Sequence, residues 1–372
     1  MLLVSEPSLG EQEKAALVEV IESNWITMGD RVRAFENLFA AEHGLHDAVA
    51  VNSCTAGLHL ALAGLGIGPG DEVLIPSLSF VATANCVLYV GATPVFVDIN
   101  GFDSPVISID DAARKFTTRT KAVILMHYAG YLVDAGAWRE FAETRGLLLI
   151  EDAAHAAGTI GAGLFGDAAA FSFYGNKNMT TAEGGMVTAR DSQVLERIRS
   201  MRGHAMTSGT KERLHARTPT YDVTMLGWNY RLDELRAALG IAQLRNLQRW
   251  NEQRAKLTGT YRRALAESCC GVQVPFSSEN FASAYHILPA LLPEGVDRAD
   301  VMRKMYDAGI QTTFHYPPIH TLSFYQSLTP RAHLPKTEQF ALRELTLPLH
   351  PKMEEADVRQ VVSTLAAIVK CH

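Results

Sequence analysis

Four short, mostly apolar runs that each close on a polar or glycine-containing turn set the limits on this chain. They are DEVLIPS (71–77), TPVFVDI (93–99), KAVILMHYAG (121–130) and GLLLIEDAAH (146–155). Runs of this length read as buried strands, and the stretches between them supply crossover helices. TAGLHLALAGLG and FVATANCVLYVG place apolar residues at helical spacing and stop at glycine. The expected class is therefore α/β with a mostly parallel central sheet, whose chemistry sits at the carboxyl ends of the strands.

Further along, residues 231–267 are rich in helix formers and long enough to bridge two domains, with a break expected near Gly240. Beyond them GVQVPF, SAYHILPALL and IQTTFHYPP read as strands, RADVMRKMYDAG as a helix among them, and EEADVRQVVSTLAAIVK as a terminal helix. A chain of 372 residues with 47% hydrophobic composition can bury one large core and a smaller second one. The division expected is a large domain over 1–245 and a small C-terminal α+β domain over 246–372.

A net charge of −6 and an isoelectric point near 6.1 give no reason to expect a nucleic-acid or acidic-membrane partner. No apolar run approaches the roughly 20 residues that span a bilayer. The start, MLLVSEPSLGEQEK, lacks the basic opening and sustained apolar core of a signal peptide, so a cytoplasmic protein is expected. Cysteines 54, 86, 269, 270 and 371 form no C-x-x-C pair, which points to reduced thiols and away from zinc.

Three stretches carry chemistry. In GLLLIEDAAHAAG, Asp152 closes a buried strand and His155 follows three residues later, offering an anion and a hydrogen-bonding ring from one turn. The same residues, with Glu151, also suit a solvated cap, and the stretch alone does not decide. In VNSCTAGLHLAL, a Ser-Cys-Thr-Ala-Gly turn opening a helix presents free N–H groups, hydroxyls and a positive dipole end that suit a phosphate. It is not a Walker loop, and an ordinary N-cap is the alternative. In FSFYGNKNMTTAEGG, Lys177 stands between a strand-like stretch and a glycine pair, with no acidic residue closer in sequence than Glu183. An exposed loop lysine is the plain reading. A phosphate cup, a strand-end aspartate and an isolated lysine are together what pyridoxal phosphate requires. Its aldehyde joins a lysine amine, and its ring nitrogen stays protonated only against a carboxylate.

Over nearly its whole length the chain resembles the DegT/DnrJ/StrS group of nucleotide-sugar aminotransferases, fold-type I pyridoxal phosphate enzymes. The matching stretches are NWITMGDRVRAFE, VNSCTAGLHLAL, DEVLIPSLSFVATANCVLYVGATPVFVDI, IEDAAHAAG, FSFYGNKNMTTAEGGMV, GWNYRLDELRAALGIAQL and, more loosely, HYPPIH and LTLPLHP. The resemblance implies that Lys177 is the Schiff-base lysine and the base that moves a proton between substrate and cofactor. It implies that Asp152 pairs with the ring nitrogen, that His155 bonds the ring oxygen, and that Phe80 stacks on the ring. Cys54, Thr55 and Ser172 would hold the phosphate, and Asn229 would reach the phosphate of the neighbouring subunit, which makes a homodimer a catalytic requirement. A Phe in an apolar segment is otherwise ordinary core.

The implied activity is transfer of an amino group from glutamate to a keto sugar attached to a nucleoside diphosphate. A dehydratase of the same fold carries histidine where this chain has Lys177, and a non-catalytic regulator would not need Lys177, Asp152 and Ser172 together. Three features depart from the pattern or stand outside it. Ala205 follows His204 where relatives usually have glycine. Arg197, Arg199, Arg202, Lys211, Arg213 and Arg217 form a basic cluster that suits either a solvated helix face or a diphosphate-binding loop. His315 and His320, five apart in HYPPIH, lack the neighbours a metal site needs.

Overall fold

The computed structural model describes residues 1–208, 220–277, 282–329 and 332–370. The first elements are α1 (Glu11–Glu22), α2 (Asp30–His43), β1 (Val49–Val51), α3 (Cys54–Gly64), β2 (Glu72–Pro76), α4 (Ala82–Tyr89) and β3 (Thr93–Val97). They are followed by α5 (Ile109–Lys115), β4 (Thr120–Met126), α6 (Ala135–Glu143), β5 (Leu148–Asp152), β6 (Ala168–Ser172), β7 (Gly185–Ala189) and α7 (Ser192–Met201). Seven strands form one sheet in the order β1-β7-β6-β5-β4-β2-β3, in which β7 alone runs antiparallel to its neighbours.

The sheet is apolar on both faces because successive residues feed different cores. Ile75, Ile124 and Ile150 pack beneath α3 and α4, whereas Leu74, Val123, Leu125 and Leu149 pack on the opposite face with Trp138 and Phe141 of α6. Continuous apolar runs are the sequence mark of this two-sided burial. The structure trims two expected strands: β4 ends at Met126, with Tyr128–Gly130 a short 3₁₀ turn, and β5 ends at Asp152. Gly130 is required there, since it sits at φ +94° and a Cβ would lie 2.8 Å from the carbonyl of His155.

One helix, α8 (Glu234–Ser268), runs 35 residues without interruption. The expected break near Gly240 is absent. A Cβ at Gly240 would come within 2.6 Å of the Phe35 ring, so this glycine serves close packing against α2 and not a bend. The C-terminal part comprises β8 (Leu288–Leu291), α9 (Arg298–Asp307), α10 (Ser323–Leu328), α11 (Pro335–Arg343), β9 (Glu344–Leu347) and α12 (Glu355–Val369). Its core joins Leu257, Tyr261 and Leu265 of α8 to Met305, Leu345, Leu347 and Val361, and the N-terminal Leu2 packs against it.

Among the described residues of this part only β8 and β9 pair as strands. SAYHILPALL shortens to Leu288–Leu291, while GVQVPF and IQTTFHYPP contribute isolated bridges, Gln273 to Leu291, Thr313 to Thr346 and Ile310 to Leu2. Pro275, Pro317 and Pro318 deny those segments ladder donors.

Two arginines of the basic cluster are placed differently from either expectation. Arg197 is exposed, but Arg202 is buried, with Nη1 on a Glu36 carboxylate oxygen and 2.8 Å from the carbonyl of Ala50. Arg199 reaches Glu36 at 2.9 Å and Asp47 at 2.6 Å. Both hold α7 against α2 in place of facing solvent or a diphosphate. Lys211, Arg213 and Arg217 lie outside the described residues. His204 and Ala205 adopt φ of 68° and 53°, the left-handed region, which explains why glycine is the usual choice after the histidine. No helix among the described residues is long and apolar enough to cross a membrane.

Candidate active site

The carboxyl ends of the strands open into a cavity of about 490 Å³. Its wall includes Cys54, Thr55, Phe80, Asp152, His155, Ser172 and Lys177, so residues from four separate stretches of the sequence converge on one space. Three structural devices bring them together.

The first is the start of α3. Ser53 is the N-cap, its hydroxyl accepting from Ala56 N–H at 3.1 Å, which leaves the first helical N–H groups of Cys54 and Thr55 without an intrahelical acceptor. Helix and sheet meet closely here: a Cβ on Gly185 would stand 2.7 Å from the Cys54 nitrogen, and one on Gly57 would meet Val187 at 2.9 Å. The glycine pair that reads as a turn in the sequence thus admits β7 beneath the helix terminus. Gly185 pairs with Ser172, which sets the Ser172 hydroxyl beside the same terminus.

The second is β5. Asp152 is 4% exposed, flanked in register by Met126 and Ala170. Thr83 of α4 donates to its Oδ2 at 2.8 Å, and the Ala154 N–H approaches Oδ1 at 3.3 Å. Burial raises the Asp152 carboxyl above the usual carboxylate range, against the hydrogen bond from Thr83. Among the described residues Asp152 forms no ion pair, and the charge of Lys177 acts on it only from beyond ion-pair distance.

The third is the loop after β6. Lys177 follows Ser172 across a tight turn in which its N–H bonds the carbonyl of Tyr174 at 3.0 Å. Its amine enters the cavity and makes no ion pair among the described residues. Burial brings it down from 10.5 to about 8, with the nearby thiol of Cys54 and carboxylate of Asp152 acting in the opposite direction. The plain reading of an exposed loop lysine is thereby set aside.

Pyridoxal phosphate is not part of this structure, and the residues present suit it. Asp152 is a buried carboxylate with no ion-pair partner among the described residues, which suits a ring nitrogen, and among the same residues His155 Nδ1 is buried with no hydrogen-bond partner. The other ring nitrogen of His155 lies 2.8 Å from the hydroxyl of Tyr316. Phe80 is 57% exposed, large for an aromatic in an apolar stretch, and lines the cavity with its ring 6.1 Å from that of Tyr316. Asn229 is outside this cavity wall: it is exposed, and its carbonyl accepts from Asn52 at 3.4 Å.

Sequence reasoning missed Thr83 and Tyr316. Tyr316 lies in HYPPIH, yet nothing in that stretch told which residue faces inward. His315 also lines the cavity, held by its N–H on Glu344 Oε2 at 2.7 Å and by Thr346 Oγ1 at 2.8 Å from Nδ1. His320 turns away, to Ser77 at 2.7 Å and Glu338 at 3.1 Å. A larger cleft of about 560 Å³, lined by Phe102, Arg262 and Val274, contains no lysine or histidine.

A pyridoxal phosphate enzyme of fold type I is the class that this sheet and cavity define. Residues 7–366 match the DegT/DnrJ/EryC1/StrS aminotransferase family, and the chain belongs to it. It is 38% identical over 379 residues, 98% of this chain and 96% of the relative, to the spore coat polysaccharide biosynthesis protein SpsC of Bacillus subtilis (strain 168). Spr1654 of Streptococcus pneumoniae, a putative sugar aminotransferase solved in PMP and PLP forms, superimposes in its PMP form with a TM-score of 0.90 at 27% identity, covering 100% of both chains. DesI, solved in the presence of its TDP-sugar product, gives a TM-score of 0.88 at 31% identity and covers 99% of this chain and 93% of its own. The protein is a pyridoxal phosphate-dependent sugar aminotransferase.

Proposed function

We propose that the protein moves an amino group from glutamate to a keto sugar carried on a nucleoside diphosphate. The observation that carries the reading is Lys177: a partly buried amine, with no ion pair among the described residues, sharing one cavity with the buried carboxylate of Asp152 and the start of α3. DesI, whose structure was determined with a TDP-sugar, supports the nucleotide-linked acceptor.

When bound, pyridoxal phosphate supplies an electron-withdrawing ring that takes up the charge left when a carbon next to nitrogen loses its proton. Asp152 would keep the ring nitrogen protonated, the Thr83 bond fixing which oxygen faces it. Cys54, Thr55 and Ser172 would hold the phosphate through backbone N–H groups and hydroxyls, with the helix dipole adding to the attraction. His155 would orient the ring oxygen and Phe80 would cover one face. Lys177 would carry the cofactor between turnovers and, once released, take a proton from the donor carbon and return it elsewhere. A folded-state value near 8 leaves an appreciable fraction of this amine free at neutral pH. We read the enzyme as a cytoplasmic homodimer in which Asn229 completes the partner's phosphate site.

The test is to follow 15N from labelled glutamate into product. Label is expected in an amino sugar attached to nucleotide, and none with Lys177→Ala. Amination by that variant sinks the role of Lys177, and amination of free sugars in preference to nucleotide-linked ones sinks the acceptor.

A further inference from the structure

Beside Lys177 stands a histidine that no sequence motif singles out. His286 is 3% exposed and its Nε2 lies 3.4 Å from Lys177 Nζ. It belongs to the wall of a second cavity, of about 240 Å³, which it shares with Asn176 and His315. Those two residues also line the active site, so the partition between the cavities runs through this region.

The tautomer of His286 follows from its neighbours. The Asn178 amide nitrogen lies 2.7 Å from the carbonyl of Ala284, which can only accept, and 2.6 Å from Asn251 Oδ1. Asn251 is itself oriented, its amide donating to the carbonyl of Ala157 at 3.0 Å. Asn178 Oδ1 must therefore be the atom facing His286 Nδ1, at 2.8 Å, and an amide oxygen demands a donor. The proton sits on Nδ1. The ring is neutral, since burial first and then the adjacent Lys177, His155, Arg254 and His315 hold its pKa well below 6.5. Nε2 consequently offers a bare lone pair to the lysine.

We propose that His286 is a positioning residue: its Nε2 accepts a hydrogen bond from the Lys177 amine and holds it in the cavity whenever that amine is not joined to the cofactor, with Asn178 and Asn251 locking the ring. A neutral acceptor suits this task better than a carboxylate. A carboxylate would form a stable ion pair and keep the amine protonated, whereas an imidazole lone pair directs the amine while leaving it able to shed its proton. The contact also gives a flexible side chain a fixed resting place. The inference rests on Lys177 being the amine that carries the cofactor.

Two measurements on the cofactor-free protein test it. The first is acylation of Lys177 by a small amine reagent, mapped by mass spectrometry across pH. Removing the acceptor with His286→Leu takes away a hydrogen bond to the charged form, so the midpoint of the profile falls by roughly one pH unit and labelling well below the midpoint becomes roughly tenfold faster. His286→Gln, whose amide oxygen can reach the place of Nε2, restores the midpoint. Coincident wild-type and His286→Leu profiles overturn the proposal. The second needs no variant: 15N NMR of protein labelled in its histidine rings is expected to show His286 neutral and protonated at Nδ1, and protonation at Nε2 overturns it. The reading of Lys177 is decided separately, by borohydride reduction of the pyridoxal phosphate-loaded wild type. An adduct on another lysine removes that reading and with it the role of the contact, while an adduct on Lys177 with coincident profiles removes only the contact.

Discussion

The hydroxyl of Thr83 lies 2.8 Å from Oδ2 of Asp152 and donates to it, tying the carboxylate at the end of β5 to α4, 69 residues earlier. Because that proton is committed, Ser79, whose Oγ is 2.6 Å from Thr83 Oγ1, must be the donor in the next bond, and the chain Ser79 to Thr83 to Asp152 has one direction.

Thr83→Val deletes the donor and keeps the shape. A hydrogen bond to a charged group contributes about 1.5–3 kcal/mol, so pyridoxal phosphate affinity is expected to fall by at least about tenfold, and Thr83→Ser is expected to recover it. Asp152→Asn is the severe version: an amide cannot keep a ring nitrogen protonated, and activity drops by orders of magnitude. Cofactor titration by absorbance checks both. Unchanged affinity in Thr83→Val would show that the carboxylate is held adequately by the backbone alone.

A second expectation follows from the Lys177 amine, brought from 10.5 to about 8 in the folded chain. Below about pH 8 most of the amine is protonated and only its free fraction can attack, so the rate at which cofactor-free protein captures pyridoxal phosphate rises with pH and levels off above about 8. Between about 8 and 10.5 the unfolded chain holds a proton here that the folded chain has released. Stability of the cofactor-free protein therefore gains from this group as pH rises through that window. Lys177→Met removes that part of the pH dependence, read by melting at the two ends of the window.

The placement of Asn229 outside its own cavity gives a third. If it completes the neighbouring subunit's phosphate site, cofactor binding and dimerisation are linked. Mixing Lys177→Ala subunits with Asn229→Ala subunits then produces dimers in which one site carries both lesions and the other neither. Activity reappears from two weak parents. Absence of recovery after proven subunit exchange means that Asn229 serves its own chain.

A fourth concerns stability alone. Glu36 is buried and accepts from Arg202, from Arg199 at 2.9 Å, from Arg33 at 3.1 Å and from Ala50 N–H at 2.9 Å. Glu36→Leu strands the buried guanidinium of Arg202 and is expected to cost about 3–5 kcal/mol. Adding Arg202→Met should recover a large part of it, as the unpaired charge leaves with its partner. Thermal melting of the single and double variants decides; additive losses argue against coupling.

What could be read from the sequence was whatever is written locally. The two-sided apolar runs announced a parallel sheet, and TAGLHLALAG announced a helix whose start could receive a phosphate. Lys177 and Asp152 were legible because an isolated lysine and a strand-end carboxylate are unusual where they occur. Thr83 and His286 were not, since each acts through a contact with a residue 69 or 109 positions away. Gly240 misled for a related reason: the Phe35 ring that demands it lies on another helix. Arg199 and Arg202 looked like solvent-facing charge because their carboxylate, Glu36, is more than 160 residues earlier.

The uninterrupted helix α8 has a mechanical meaning. At about 1.5 Å per residue it is a rod on the order of 50 Å long, anchored near one end by Gly240 against Phe35 and buried near the other in the C-terminal core by Tyr261 and Leu265. Along the way Arg254 holds the carbonyls of His286 and Leu349, and Asn251 holds that of Ala157. A swing of the C-terminal lobe would have to bend this rod or break those ties. The site is accordingly built on a chassis, and adaptation of the enzyme to a differently shaped sugar falls to the segments that cross the cavity mouth, leaving the frame beneath them unaltered.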